Sequence, residues 1–152
     1  LFIKKSIASN IYVGVLDKYK KNLGISDIRA LKEVGEKWVK ELAIKTPDPE
    51  NIISTLSGGN QQRVVLAKWL ARNPKLLILN GPTVGVDIGS KSEIHKIIRQ
   101  LANNGMAVII ISDDIPELLA NCNKVAVMKM GRIVGEFDTK ELAPDQLASM
   151  LA

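Results

Sequence analysis

The chain has one cysteine, Cys122, in 152 residues. An internal disulfide is therefore excluded, and burial and hydrogen bonding must hold the fold, as suits a reducing compartment. Cys122 reads as a buried structural thiol. Aromatic residues are scarce, with two Phe, two Tyr and two Trp. The single histidine, His95, reads as an ordinary, partly exposed helix residue. No apolar run approaches the roughly 18–20 residues that a membrane-spanning helix needs, and no secretory leader pattern is visible. The net charge is +5, from 21 basic and 16 acidic residues, and it is spread out. Lys18, Lys20 and Lys21 form the only tight basic cluster, without useful aromatic interleaving. That favours a solvated face over a nucleic-acid groove. Hydrophobic content of 46% with 24% charged residues describes a globular chain about one domain long.

Hydrophobic spacing gives a coarse order of elements. Residues 1–24 carry weak signals: Ile11, Val13 and Val15 alternate, but Gly14 and the lysines dilute the pattern. Residues 27–45 read as an amphipathic helix capped by Ser26 or Asp27, with Ile28, Leu31, Val34, Trp38, Val39 and Leu42 at helical spacing. Trp38 and Trp69 read as core. A second helix runs from about Ser57 to Ala71 and stops at Asn73-Pro74. Lys75–Leu79 and Ala107–Ile111 are apolar throughout, as strands buried on both faces are. Ser90-Lys91-Ser92-Glu93 reads as a capping box opening a helix to about Asn103, with Gly105 as its C-cap. Asp114-Ile115-Pro116-Glu117 reads as another capped start. Strands at Lys124–Met130 and Arg132–Phe137, joined at Gly131, and a short helix near Pro144–Leu151 complete the order. Alternating strands and helices argue a parallel α/β sheet. The expected division is a helical part, 1–73, and an α/β part, 74–152.

The most informative stretch is Leu56-Ser57-Gly58-Gly59-Asn60-Gln61-Gln62-Arg63. A hydroxyl and two glycines stand directly ahead of a helix, whose start carries unpaired N–H groups and the positive end of the dipole. Such a start is suited to a phosphate. A tight Gly-Gly turn with Ser57 as N-cap is the plainer alternative. About twenty residues on, the apolar run Leu76–Leu79 ends in Asn80-Gly81-Pro82-Thr83, and Gly85-Val86-Asp87-Ile88-Gly89-Ser90-Lys91 follows.

Taken together, Leu56 to Phe137 resembles the nucleotide-binding domain of ABC ATPases, most like the second of two tandem domains in ribose-type sugar importers. Leu56–Arg63 is similar to the signature motif, the strand before Asn80 to Walker B, Gly85-Val86-Asp87 to the D-loop, and Ile111-Ser112-Asp113-Asp114 to the switch-histidine loop. The resemblance implies a partial P-loop NTPase fold: a helical signature subdomain, then a mostly parallel sheet with helices, lacking the P-loop strand. No Gly-x-x-x-x-Gly-Lys-Ser/Thr occurs in the chain. That half of the domain is expected upstream of Leu1.

Three departures from the family pattern fall at one site. Asn80 stands where a Mg²⁺-binding aspartate belongs, Gly81 where the catalytic glutamate belongs, and Asp113 where the histidine belongs. Neutral Asn is a weaker Mg²⁺ ligand, Gly has no group to polarise water, and Asp brings the wrong sign near a phosphate. A plain strand-end turn at Asn80-Gly81 and a helix-start carboxylate at Asp113 are the structural alternatives. No metal site of the chain's own is expected. The resemblance implies that Ser57, Gly58, Gly59, Asn60 and Gln61 complete a composite ATP and Mg²⁺ site with a second nucleotide-binding domain, while Asp87 lies at the seam. The 1–73 part would face transmembrane permease subunits, peripheral to the cytoplasmic side of the membrane. The family hydrolyses ATP; this chain alone is expected to be inactive and to self-associate through open sheet edges. A non-catalytic ABC-type scaffold, or a nucleic-acid- or ribosome-associated ABC module, are the competing readings.

Overall fold

The computed structural model describes residues 1–20 and 26–151. Lys21 of the basic cluster lies outside them. The chain divides into two compact units, Leu1–Lys75 with Thr83–Met106 and Leu76–Pro82 with Ala107–Ala152.

The first unit is helical. Its elements are α1 (Ile7–Tyr12), a 3-10 segment (Val13–Tyr19), α2 (Ile28–Glu41), α3 (Gly58–Leu70) and α4 (Ile88–Asn103). The weak signal over residues 1–24 conceals α1. Ile7 and Ile11, four residues apart, are fully buried and share one face of the helix, whereas the alternation of Ile11 and Val13 points towards a strand. Ser6 caps α1 by accepting from the Ser9 N–H at 3.1 Å. Asn10 is buried yet satisfied: its Oδ1 accepts from the Phe2 N–H at 2.7 Å, and its Nδ2 donates to the Ser6 carbonyl at 2.9 Å. Asp27 caps α2 through the Ala30 N–H at 3.2 Å. Gly35 lets α2 cross α1, since a Cβ there would lie 2.7 Å from the Ala8 Cβ. One core assignment is corrected, and one residue of the α2 stripe is not covered. Trp69 is half exposed, with the Lys68 ammonium 5.3 Å from its ring centroid, and Ile28 is mostly exposed.

The expected capping box on α4 also fails. The helix starts at Ile88, and Asp87 is its cap, accepting from the Ser90 N–H at 2.9 Å. Because the helix begins three residues early, Ser90 lies inside the first turn and Glu93 is free to reach another helix. At the far end the C-cap is Asn104, and Gly105 follows it with φ +91°.

The second unit contains β1 (Leu76–Asn80), β2 (Ala107–Ile111), α5 (Ile115–Asn121), β3 (Lys124–Lys129), β4 (Arg132–Asp138) and α6 (Pro144–Leu151). β1 and β2 pair in parallel from Leu76↔Ala107 to Asn80↔Ile111. β3 and β4 form an antiparallel hairpin around Met130-Gly131, both at positive φ. Among the described residues these are two separate two-stranded sheets, so β2 and β3 are not hydrogen-bonded neighbours. One pair is parallel and the other antiparallel. Burial on both faces of β1 and β2 does not hold: Leu77 and Leu79 are buried, but Ile78, Ile109 and Ile111 are each about half exposed. Val125, Val127 and Leu147 form the core beneath the hairpin, with Phe137 and Leu119 packed on it.

Candidate functional site

The start of α3 carries hydrogen-bond donors that its own helix does not use. Ser57 occupies the cap position with extended backbone (φ −61°, ψ 158°), yet its side chain makes no capping bond. Helix geometry leaves the N–H groups of Gly58, Gly59 and Asn60 without an i−4 carbonyl. A capping serine ordinarily accepts from one of them. Here the Ser57 hydroxyl accepts instead from Asn60 Nδ2 at 3.0 Å. Asn60 Oδ1 in turn accepts from the Lys45 backbone N–H at 2.9 Å. An amide N–H can only donate, so the Lys45 contact fixes which end of the Asn60 side chain faces Ser57. The one proton of the Ser57 hydroxyl is left to point away from Asn60. Ser57 and Gly58 are exposed. Gln61 Nε2 donates to the Leu56 carbonyl at 3.0 Å.

Gly59 is buried for a different reason. A Cβ at this position would overlap the Cβ and Oγ of Ser90 in the first turn of α4. One turn further along α3, Arg63 joins the two helices again. Its guanidinium is buried, donates to the Leu42 carbonyl at 3.1 Å and the Ala43 carbonyl at 2.7 Å, and forms an ion pair with Glu93. Reading Arg63 as the last letter of a motif misses this clamp. Nothing in the sequence marks Glu93 as its partner, 30 residues away.

Gly85-Val86-Asp87 leads into α4, with Gly85 at φ +73°. Val84 and Ile88, which flank it, are 78% and 88% exposed. The Asp87 carboxyl is held below its ordinary pKa of 3.8, chiefly by the Ser90 backbone N–H and then by the Ser90 side chain. A lowered folded-state pKa means that the cap stabilises α4 above the ordinary carboxylate pKa and is lost as pH falls through the lowered value. An NMR titration should place the Asp87 midpoint below 3.8. A midpoint at or above that value would contradict the cap.

The parallel pairing of β1 and β2 brings Asn80-Gly81 and Ser112-Asp113 to the same strand ends, where ligands gather in α/β sheets. Asn80 and Asp113 are exposed. The Gly81 N–H donates to the Ile111 carbonyl at 2.9 Å, and its φ of +55° is one that side-chain-bearing residues rarely adopt. Ser112 donates to Glu117 Oε2 at 2.6 Å and accepts from the Asp114 N–H at 3.1 Å. Asp114 caps α5 as expected, through the Glu117 N–H at 3.0 Å. Glu117, which sequence reading left as a helix-start residue, is buried. Cys122 is half-buried rather than buried, and burial first, then the Glu117 charge, raises its pKa. These strand ends do not fit a Mg²⁺-nucleotide: a neutral amide, a glycine and one exposed carboxylate are a poor hard-cation set. Among the described residues no group of three or more His, Cys, Asp or Glu could hold a metal.

The sequence profile of the ABC transporter family matches residues 2–84. The galactose/methyl galactoside import ATP-binding protein MglA of Treponema pallidum is 39% identical, over 100% of this chain and 30% of its own length. A Rhizobium etli protein provisionally named ribose/galactose/methyl galactoside import ATP-binding protein 1 is 43% identical, over 97% of this chain and 28% of its own. The chain thus spans under a third of the curated relatives it matches. Among solved structures, cbiO1 of Clostridium perfringens, part of the complex cbiONQ, superposes with TM-score 0.73 at 28% identity, over 91% of this chain and 53% of that one. A dimeric ATP-binding cassette in a post-hydrolysis state with ADP and Pi superposes with TM-score 0.75 at 22% identity, over 93% of this chain and 60% of that one, which supports the fold alone.

Proposed function

The chain belongs to the ABC transporter family, and from that premise we propose that it is part of the ATP-binding subunit of a sugar importer. In this reading it corresponds to the second of two tandem cassettes and lends the start of α3 to a nucleotide held by a partner cassette. The observation that carries the reading is the Lys45–Asn60–Ser57 chain, in which the exposed Ser57 hydroxyl accepts from Asn60 and keeps its own proton for another acceptor, beside first-turn amides that have no helix carbonyl. Bound ATP would supply the phosphoryl group whose transfer to water drives the cycle. Ser57 and the Gly58 and Gly59 amides would donate to its terminal phosphate, where the positive helix end also favours charge. Asp87 would orient the partner's groups across the seam. The Asn80, Gly81 and Asp113 end would contribute no Mg²⁺ ligand or general base.

Closure around ATP would move permease subunits held by the helical part, 1–73, which we place with 74–152 as the two functional divisions. No helix among the described residues is long and apolar enough to cross a membrane, and we place the subunit peripherally on the cytoplasmic side. The test is association. Light scattering of this chain mixed with a cassette that has an intact P-loop should show an ATP-dependent complex, and Ser57→Glu should abolish it. Equal association with and without ATP would favour a plain scaffold.

Restoring the family residues by Asn80→Asp and Gly81→Glu should leave the chain without ATP turnover. Glu at φ +55° also introduces backbone strain of about 1 kcal/mol. Turnover gained by this double variant would overturn the reading that the chain has no nucleotide site of its own to repair. By itself the chain should self-associate, because apolar strands with open edges and a half-exposed face seek partners. Multi-angle light scattering checks this, and a clean monomer at high concentration would contradict it.

A further inference from the structure

We infer that Glu93 is a positioning residue that locks the signature helix α3 to the D-loop helix α4, so that Ser57 and Asp87 meet a partner's nucleotide as one rigid pair. The inference rests on the function proposed above. Two pins join the helices. The first is steric: Gly59 has no room for a Cβ because Ser90 occupies it. The second is ionic, between Arg63 and Glu93, four residues along α3 and three along α4. Those steps are about one helical turn on each helix. Two pins a turn apart fix the separation of the helix starts and the angle between them, whereas one pin leaves a pivot. The pivot would lie at Gly59–Ser90, beside both Ser57 and the Asp87 cap.

The asymmetry of the ion pair decides which partner to test. The Arg63 side chain is 6% exposed and that of Glu93 is 51% exposed. Removing Arg63 would orphan two carbonyls and unsettle the fold. Removing Glu93 leaves Arg63 on the Leu42 and Ala43 carbonyls, and the folded unit survives. Glu93→Ala therefore deletes the second pin alone. Glu93→Gln keeps the length and one acceptor oxygen for the guanidinium.

The experiment has two readouts. Hydrogen exchange on the 152-residue chain is expected to rise about 10-fold or more at both 61–64 and 90–92, the first hydrogen-bonded amides of the two helices, in Glu93→Ala, with the melting temperature within a few degrees of the parent, as for loss of one local contact. In the importer containing this chain, the same variant is expected to lower kcat for ATP about 10-fold while KM moves less than about 3-fold, because misplacement acts on the reacting geometry. Glu93→Gln should restore most of both. Exchange that rises at only one segment, at neither, or evenly across the whole chain would overturn the coupling. So would an unchanged kcat when Ser57→Arg abolishes turnover. If Ser57→Arg also leaves turnover intact, the helix end is not at the nucleotide, and the parent proposal falls with this one.

Discussion

Ser57→Arg should reduce ATP turnover by the importer containing this chain about 10²–10³-fold, the loss expected for removing a donor aimed at developing charge in a desolvated site. The arginine also covers the Gly58 and Gly59 amides, so the loss should lie at the upper end of that range. Stability is the discriminating control. Replacing a capping serine usually costs about 1 kcal/mol. Ser57 makes no capping bond and is exposed, so Ser57→Ala should melt with the parent. Ser6→Ala, which removes a capping bond to Ser9, should not. Asn60→Ala should show a smaller turnover loss than Ser57→Arg. It frees the Ser57 hydroxyl to rotate and to cap its own helix, which satisfies an amide internally. Normal turnover by Ser57→Arg, with folding confirmed, would leave only an interaction scaffold.

Arg63→Ala should be the most destabilising single change in the helical unit, by about 3 kcal/mol. A hydrogen bond to a charged group contributes about 1.5–3 kcal/mol, and the sum is discounted because Glu93 reaches water. At roughly 2–4 °C per kcal/mol for a chain of this size, the melting temperature should fall by about 6–12 °C. Arg63→Lys should recover less than half of it. One ammonium cannot reach both the carbonyls at the end of α2 and a carboxylate on α4 with a planar fork's geometry. Arg72→Ala is the comparison. Its ion pair with Asp17 is exposed on both sides, and its loss should cost less than about 1 kcal/mol. Equal effects from the two substitutions in thermal melts would refute the clamp.

The elements that sequence revealed best were those whose local signals all point to one structure. β2 was legible as five apolar residues, and α5 from Asp114 ahead of Pro116. α3 was legible because Ser57-Gly58-Gly59 and the pattern that follows point the same way. Misreadings came where tertiary contacts outweighed local signals. Ser90 and Glu93 have the spacing of a capping box, but Asp87 reaches the Ser90 amide first, and Glu93 is drawn to a buried cation on α3. α1 was obscured because it is short and its buried Ile7 and Ile11 run into Val13 and Val15, which alternate with Ile11. Apolar continuity in β1 promised burial on both faces, which Ile78 does not have. The candidate site residues were nameable from the motifs. The polarity of the Lys45–Asn60–Ser57 chain was not, because it depends on a backbone amide 15 residues upstream.

ATP turnover by the 152-residue chain with magnesium, measured alone and then with a partner cassette whose own signature serine is replaced, tests the central claim most directly. The account requires background rates alone, turnover on mixing, and no turnover when the added chain carries Ser57→Arg. Hydrolysis by the unaccompanied chain, or a mixed rate that ignores Ser57, would contradict it.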